Sequence, residues 1–232
     1  ARLILQEAER VRQLAKHAED PMGRTVQVGV IPTLGPYYLP HVLMRVHEAY
    51  PKLRLLLREV TTPQLLAQLH AGKLDAGLLA LPIDEEGLAV APLFTEPFFA
   101  ALSVDHPLAK RAKVGLEELS QENLLLLEEG HCLRDQALAV CGLQGMASEE
   151  VRATSLETLR QMVSMGIGVT LLPSLACTAS TQPGIAIRPL AGSGAGRVIA
   201  LIWRKRTPYV ETITQLAQTL RQHLPVGVKK LG

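Results

Sequence analysis

The chain has 232 residues, 47% apolar and 20% charged, with a net charge of +2. This describes an ordinary globular protein and not a disordered one, and the charge is too small to imply a nucleic-acid surface. No apolar run approaches the roughly 18 residues of a membrane span, no signal-peptide pattern opens the chain, and three cysteines without framework spacing point to a reducing cytosol.

Residues 2–20 place Leu3, Leu5, Val11 and Leu14 among charges, a loosely amphipathic helix ended by Pro21 and Gly23. It reads as a connecting helix arriving from something upstream. TVQVGVI (25–31) is a strand, PTLGP a breaker-rich turn, LPHVLMRVHEAY (39–50) a helix and LRLLLREV (53–60) a buried strand. The helix at 62–74 has two competing starts. Thr62 as N-cap puts Pro63 at N1, whereas Thr61 as N-cap puts Gln64 at N3 as a capping-box partner. DAGLLAL (75–81) completes a β-α-β-α-β order whose apolar strands predict a parallel sheet covered on both faces.

After Pro92 the alternation restarts. FFAALSV (98–104) and LLLL (124–127) are strands, and the cysteine segment follows as a helix. TSLETLRQMVSMG (154–166) is a helix with Thr154 and Glu157 in capping-box positions and Gly166 as its stop. Strands at 169–173, 185–190 and 198–203 precede a closing amphipathic helix at 209–224. Two α/β units, with the chain returning to the first, leave a cleft. Ligands in open parallel sheets bind beyond the carboxyl ends of strands. Thr33, Gly35 and Thr62 follow strands of the first unit and Cys132 follows LLLL of the second, so the candidate chemistry converges there.

The segment GHCLRDQALAVC (130–141) holds two of the three cysteines. Cys132 has His131 beside it and Arg134 and Asp135 on the next turn, while Cys141 sits among apolar residues. Most free cysteines are small buried hydrophobes. A thiol in the first turn of a helix, among charges, is instead placed for reactivity, because unpaired N–H groups and positive charge favour the thiolate. A helical spacing of nine residues gives a rise of about 13.5 Å and a rotation of about 900°, with the thiols on opposite faces. A disulfide needs Cα atoms within roughly 7 Å, so a helix here must unwind to be oxidised. His131, Cys132, Cys141 and Cys177 lack metal-ligand spacing, and neither metal nor cofactor is expected. Cys177 reads as a packed thiol, His41, His47 and His70 as solvated, and GSGAG (192–196) as a loop; no GxSxG, GxGxxG or P-loop occurs.

GHCLRDQALAVC, RATSLETLRQMVSMGIGVTLLP (152–173) and VGVIPTLGPYYLP (28–40) resemble the hydrogen-peroxide-sensing members of the LysR-type transcriptional regulators, along nearly the whole chain. The resemblance implies an α/β fold of two Rossmann-like subdomains, like periplasmic binding proteins, hinged by crossing strands. Subdomain I would cover 23–94 and 204–232 and subdomain II 95–203, with 1–22 the end of a linker helix and the winged helix-turn-helix absent from this chain. It implies Cys132 as the peroxidatic cysteine and Cys141 as its disulfide partner. Thr33, Thr62, His131 and Arg134 would line the peroxide pocket, with Asp135 in the same segment. The implied protein is a cytoplasmic activator and not an enzyme. Its regulatory domains would pair within a tetramer, promoter DNA would be bound only through the missing domain, and a thiol reductant such as glutaredoxin would reset it. Three rivals share parts of the pattern: a LysR-type domain sensing a small organic effector, a thiol-dependent peroxidase, and an exported binding protein.

Overall fold

A computed structural model describes residues 22–143, 152–178, 183–192 and 194–231. The expected helix at 2–20 lies outside the described residues. Strand β1 (Thr25–Val30) pairs in parallel with β2 (Arg54–Glu59) on one side and β3 (Ala76–Leu81) on the other. Helix α1 (Gly35–Ala49) links β1 to β2, and α2 (Thr62–His70) links β2 to β3. The breaker-rich turn is shorter than expected, because Gly35 already opens α1. Pro36 falls in its first turn, where a missing N–H leaves no bond unmade.

Facing glycines set the height of α2 above the sheet. Gly29 and Gly77 are register partners on β1 and β3. A Cβ on Gly77 would stand 2.4 Å from Leu65 Cδ2, and one on Gly29 would meet Leu74 Cδ1 at 2.6 Å and Leu65 Cγ at 3.1 Å. Bare backbone at both positions lets Leu65, fully buried, drop onto the sheet and carry the start of α2 with it.

Strand β4 (Leu88–Ser103) joins the two units as one long element, with a register irregularity between Pro92 and Phe94 where a break was expected. Its first part pairs antiparallel with β9 (Gly196–Arg204), and its last residues pair with β7 (Thr170–Pro173) and β8 (Ile185–Pro189). β9 also pairs antiparallel with β3. The three strands of the β-α-β-α-β stretch are parallel as expected, and the antiparallel strands make the whole sheet mixed, in the order β10-β4-β9-β3-β1-β2, with β10 (Lys229–Lys230) at its edge. The physical reason is the chain's route: β9, returning from the second unit, inserts between β3 and β4 against their direction. From Gly196 it pairs with β4, and from Val198 with β3 as well.

The second unit holds β5 (Leu126–Leu127) beside β6 (Arg152–Ala153), with α3 (Leu116–Ser120), α4 (Cys132–Val140), α5 (Leu156–Ser164) and α6 (Ser174–Thr178). Of the LLLL run only the last two residues form a strand; Leu124 makes a single bridge to Val169. Helix α5 is capped by Ser155 and not Thr154: Ser155 Oγ accepts from the Thr158 N–H at 3.2 Å. Helix α7 (Val210–Gln222) packs on α1, where Tyr38 donates to the Leu220 carbonyl at 3.4 Å. One apolar cluster runs through both units, from Val28 and Leu78 to Leu127, Leu133 and Leu156. A smaller one, with Ala100, Leu119, Leu126 and Cys141, belongs to the second unit alone. Among the described residues no helix is long and apolar enough to cross a membrane.

Candidate functional site

Three neighbouring parallel strands, in the order β3, β1, β2, end on the same side of the sheet. The loop after β1 carries Thr33 and the start of α2, after β2, carries Thr61 and Thr62. Thr61 is the N-cap, its N–H donating to Gln64 Oε1 at 3.3 Å, which places Thr62 at the first helical position. Two contacts from the second unit, among others, reach this rim. Gly130, with a φ of 91° that favours glycine, lies against Thr61, where an added Cβ would stand 3.7 Å from Thr61 Cβ. Gln136 Nε2 donates to the Leu81 carbonyl, at the end of β3, at 3.3 Å. The segment 130–136 is thus anchored on both flanks of β1 and lies across its carboxyl end, with Cys132 between the anchors.

Cys132 is the first residue of α4, with His131 as N-cap. It is half-buried against the larger apolar cluster. Cys141 is the C-cap of the same helix, its N–H donating to the Ala137 carbonyl at 3.0 Å, and it is buried in the smaller cluster. Burial pushes the Cys141 thiol pKa up. Both are free thiols. A helix rising about 1.5 Å per residue holds their backbones well beyond disulfide reach.

His131 is buried, and burial lowers its pKa, opposed in part by Glu128. Its imidazole is therefore neutral near pH 7, and its buried Nδ1 has no hydrogen-bond partner. Arg134 is also buried, two residues and about 200° around the helix from Cys132. Asp135 is exposed. The reason is periodicity: Leu133, Arg134 and Ala137 take the buried positions of α4 and turn Asp135 outward. Thr62 Oγ1 is buried without a partner, as is Gln136 Oε1.

Thr33 is buried and bound twice by Arg197, whose Nη1 donates to Thr33 Oγ1 at 2.8 Å and Nη2 to its carbonyl at 2.9 Å. Arg197 Nε in turn donates to Glu96 Oε2 at 2.9 Å. Neither Arg197 nor Glu96 was singled out from sequence, although each is a lone charge in an otherwise apolar run (LFTEPFFAAL, GRVIALIW). Of the remaining candidates, His41 and His47 are exposed and His70 pairs with Glu85 at 2.9 Å. Burial raises the Cys177 thiol pKa to about 12, with Arg160 lowering and Glu96 raising it further. Among the described residues no three His, Cys, Asp or Glu side chains group as metal ligands.

Two linked α/β units with a cysteine helix laid across the strand ends define a class. The LysR substrate binding domain matches residues 19–225, and the chain belongs to that family. Within it, the similarity is to peroxide regulators. The chain is 44% identical to the hydrogen peroxide-inducible genes activator of Dickeya chrysanthemi over 235 residues, spanning 100% of this chain and 77% of that protein. The crystal structure of the reduced form of OxyR superposes with a TM-score of 0.81 at 42% identity, covering 89% of this chain and 98% of that one. The oxidised form of OxyR does so with a TM-score of 0.79 at 44% identity, covering 88% and 97%.

Proposed function

We propose that this chain is the sensing portion of a hydrogen-peroxide-responsive transcriptional regulator, with Cys132 as the attacking thiol and Cys141 as its resolving partner. The observation that supports this most is the placement of the two thiols at opposite ends of α4, one half-open beside the strand-end rim and one buried in a separate apolar cluster. The Cys132 thiolate attacks one peroxide oxygen and the O–O bond breaks. The sulfur becomes a sulfenic acid, and the departing hydroxide takes a proton to leave as water. Cys141 then attacks the sulfenic sulfur, a second water leaves and the disulfide forms. Thr33 and Thr62 orient the peroxide, and His131 and Arg134, both buried in the turn that carries Cys132, belong to the pocket's surroundings. Asp135, exposed on α4, has no contact role in this scheme.

Because α4 separates the thiols, the disulfide requires the helix to unravel, and the residues it packs through, such as Leu133 and Ala137, must change their burial. A surface altered in this way can shift the pairing of regulatory domains in a dimer or tetramer. A regulator of this kind acts on promoter DNA, and that supports a cytoplasmic location. A dithiol reductant of the glutaredoxin class resets the switch. Mass spectrometry before and after a brief, near-stoichiometric peroxide pulse tests the scheme. The expected result is a loss of two hydrogens mapping to a Cys132–Cys141 link after one equivalent. No thiol loss would favour an organic effector, continuous peroxide consumption with reductant a peroxidase, and a link through Cys177 a different resolving partner.

A further inference from the structure

Glu96 and Arg197 are register partners on the two strands that join the units, and both side chains are fully buried. Burying two charges is costly even when they are paired. Nothing in the peroxide scheme yet uses Glu96. Its two oxygens are both engaged: Oε2 accepts from Arg197 Nε at 2.9 Å, and Oε1 accepts from the Leu175 N–H of α6 at 2.9 Å. The neighbouring Gly196 allows this, since a Cβ there would lie 2.5 Å from the Glu96 carbonyl oxygen.

A guanidinium is a rigid plane, so a carboxylate holding Nε fixes where the two remaining nitrogens point. In Arg197 those nitrogens grip Thr33, one on the hydroxyl and one on the carbonyl. A hydroxyl has a single proton. With Thr33 Oγ1 accepting from Arg197, that proton is left to donate elsewhere, at the strand end that Cys132 lies across. We propose that Glu96 is a positioning residue for the peroxide chemistry: through Arg197 it keeps the Thr33 hydroxyl a hydrogen-bond donor to a peroxide oxygen. Through Leu175 it ties that setting to the second unit. The inference rests on the peroxide reading above. Replacing Glu96 by Gln leaves the positive charge of Arg197 in place, so it takes nothing from the stability of a thiolate. Peroxide orientation and thiolate supply can therefore be separated.

The test measures two rates at Cys132 in the reduced full chain by mass spectrometry: oxidation by hydrogen peroxide and alkylation by iodoacetamide. Glu96→Gln should slow oxidation roughly ten- to a hundredfold and leave alkylation unslowed. In a Thr33→Val background Glu96→Gln should add nothing, because both changes remove the same interaction. A wild-type peroxide rate in Glu96→Gln, an equal loss in both reactions, or additive losses with Thr33→Val would each overturn the proposal. If Glu96→Gln does not fold by circular dichroism, Arg197→Lys decides: it keeps the charge pair but loses the fork, and a wild-type peroxide rate there overturns the proposal. A wild-type chain that peroxide leaves untouched overturns the peroxide reading and this inference together. Normal wild-type oxidation beside an indifferent variant overturns the inference alone.

Discussion

Gln136 Nε2 donates to the backbone carbonyl of Leu81 at 3.3 Å, so the cysteine helix of the second unit is fastened to the end of a strand in the first. If the disulfide unravels α4, this bond belongs to the reduced state only. Gln136→Met removes the donor and with it this bond. A net hydrogen bond contributes roughly 1 kcal/mol, which for a two-electron couple is about 20 mV. Losing it from the reduced form should make the Cys132–Cys141 potential more negative by that amount, measured by equilibration in glutathione buffers. An unchanged or more positive potential would show that the bond is not specific to the reduced helix.

The depressed pKa of His131 predicts a pH dependence with a definite sign. Burial is its main cause, so the folded chain binds the imidazole proton less readily than the unfolded chain does. Stability from the neutral ring is fully present above the unfolded value of 6.5 and is lost as pH falls from there through the lower folded value. The urea midpoint of the reduced protein should therefore drop as pH goes below 6.5, and His131→Gln should flatten that part of the curve. An identical profile in the variant would place the acid sensitivity elsewhere.

The elements around the site are legible in the sequence where a local signal exists. The strands at 25–31 and 75–81, the start of α4 beside Cys132 and the burial of Cys141 all follow from apolar pattern and helix entry. What was missed depends on partners distant in the chain. The antiparallel insertion of β9 beside β3 cannot be seen in either strand alone, since the apolar run of β9 fits either direction. The sequence marks Thr33 as a site residue but not the Arg197 that grips it, 164 positions away. Asp135 is exposed on α4, on the solvent side of the same segment.

Packing under α2 offers a stability test that also bears on the site. Gly77→Ala forces a Cβ to within 2.4 Å of Leu65 Cδ2, the side chain that seats α2 on the sheet. Overpacking of this kind costs about 1–3 kcal/mol. Thermal denaturation should show the loss, and Leu65→Val in the same chain should recover part of it by returning space. The single Leu65→Val variant should itself be destabilised, so recovery in the double variant would be a coupling and not two independent gains.

Thr62 gives the clearest separation of stability from function. Its Oγ1 is buried with no hydrogen-bond partner, a state that costs about 1–3 kcal/mol. Thr62→Val keeps the shape and replaces the unpaired hydroxyl with a methyl group. If the hydroxyl were there for packing alone, the rate of Cys132 oxidation would not change. If it is there to meet peroxide, the variant should gain roughly 1 kcal/mol, seen as a melting temperature higher by about 2–4 °C, while the rate of Cys132 oxidation by peroxide falls. Stability rising as activity drops is the signature of a group kept for its chemistry. Alkylation of Cys132 by iodoacetamide should not change, because the thiol itself is untouched. A variant that is both more stable and fully reactive would remove Thr62 from the peroxide site and leave Thr33 as the threonine that orients the substrate.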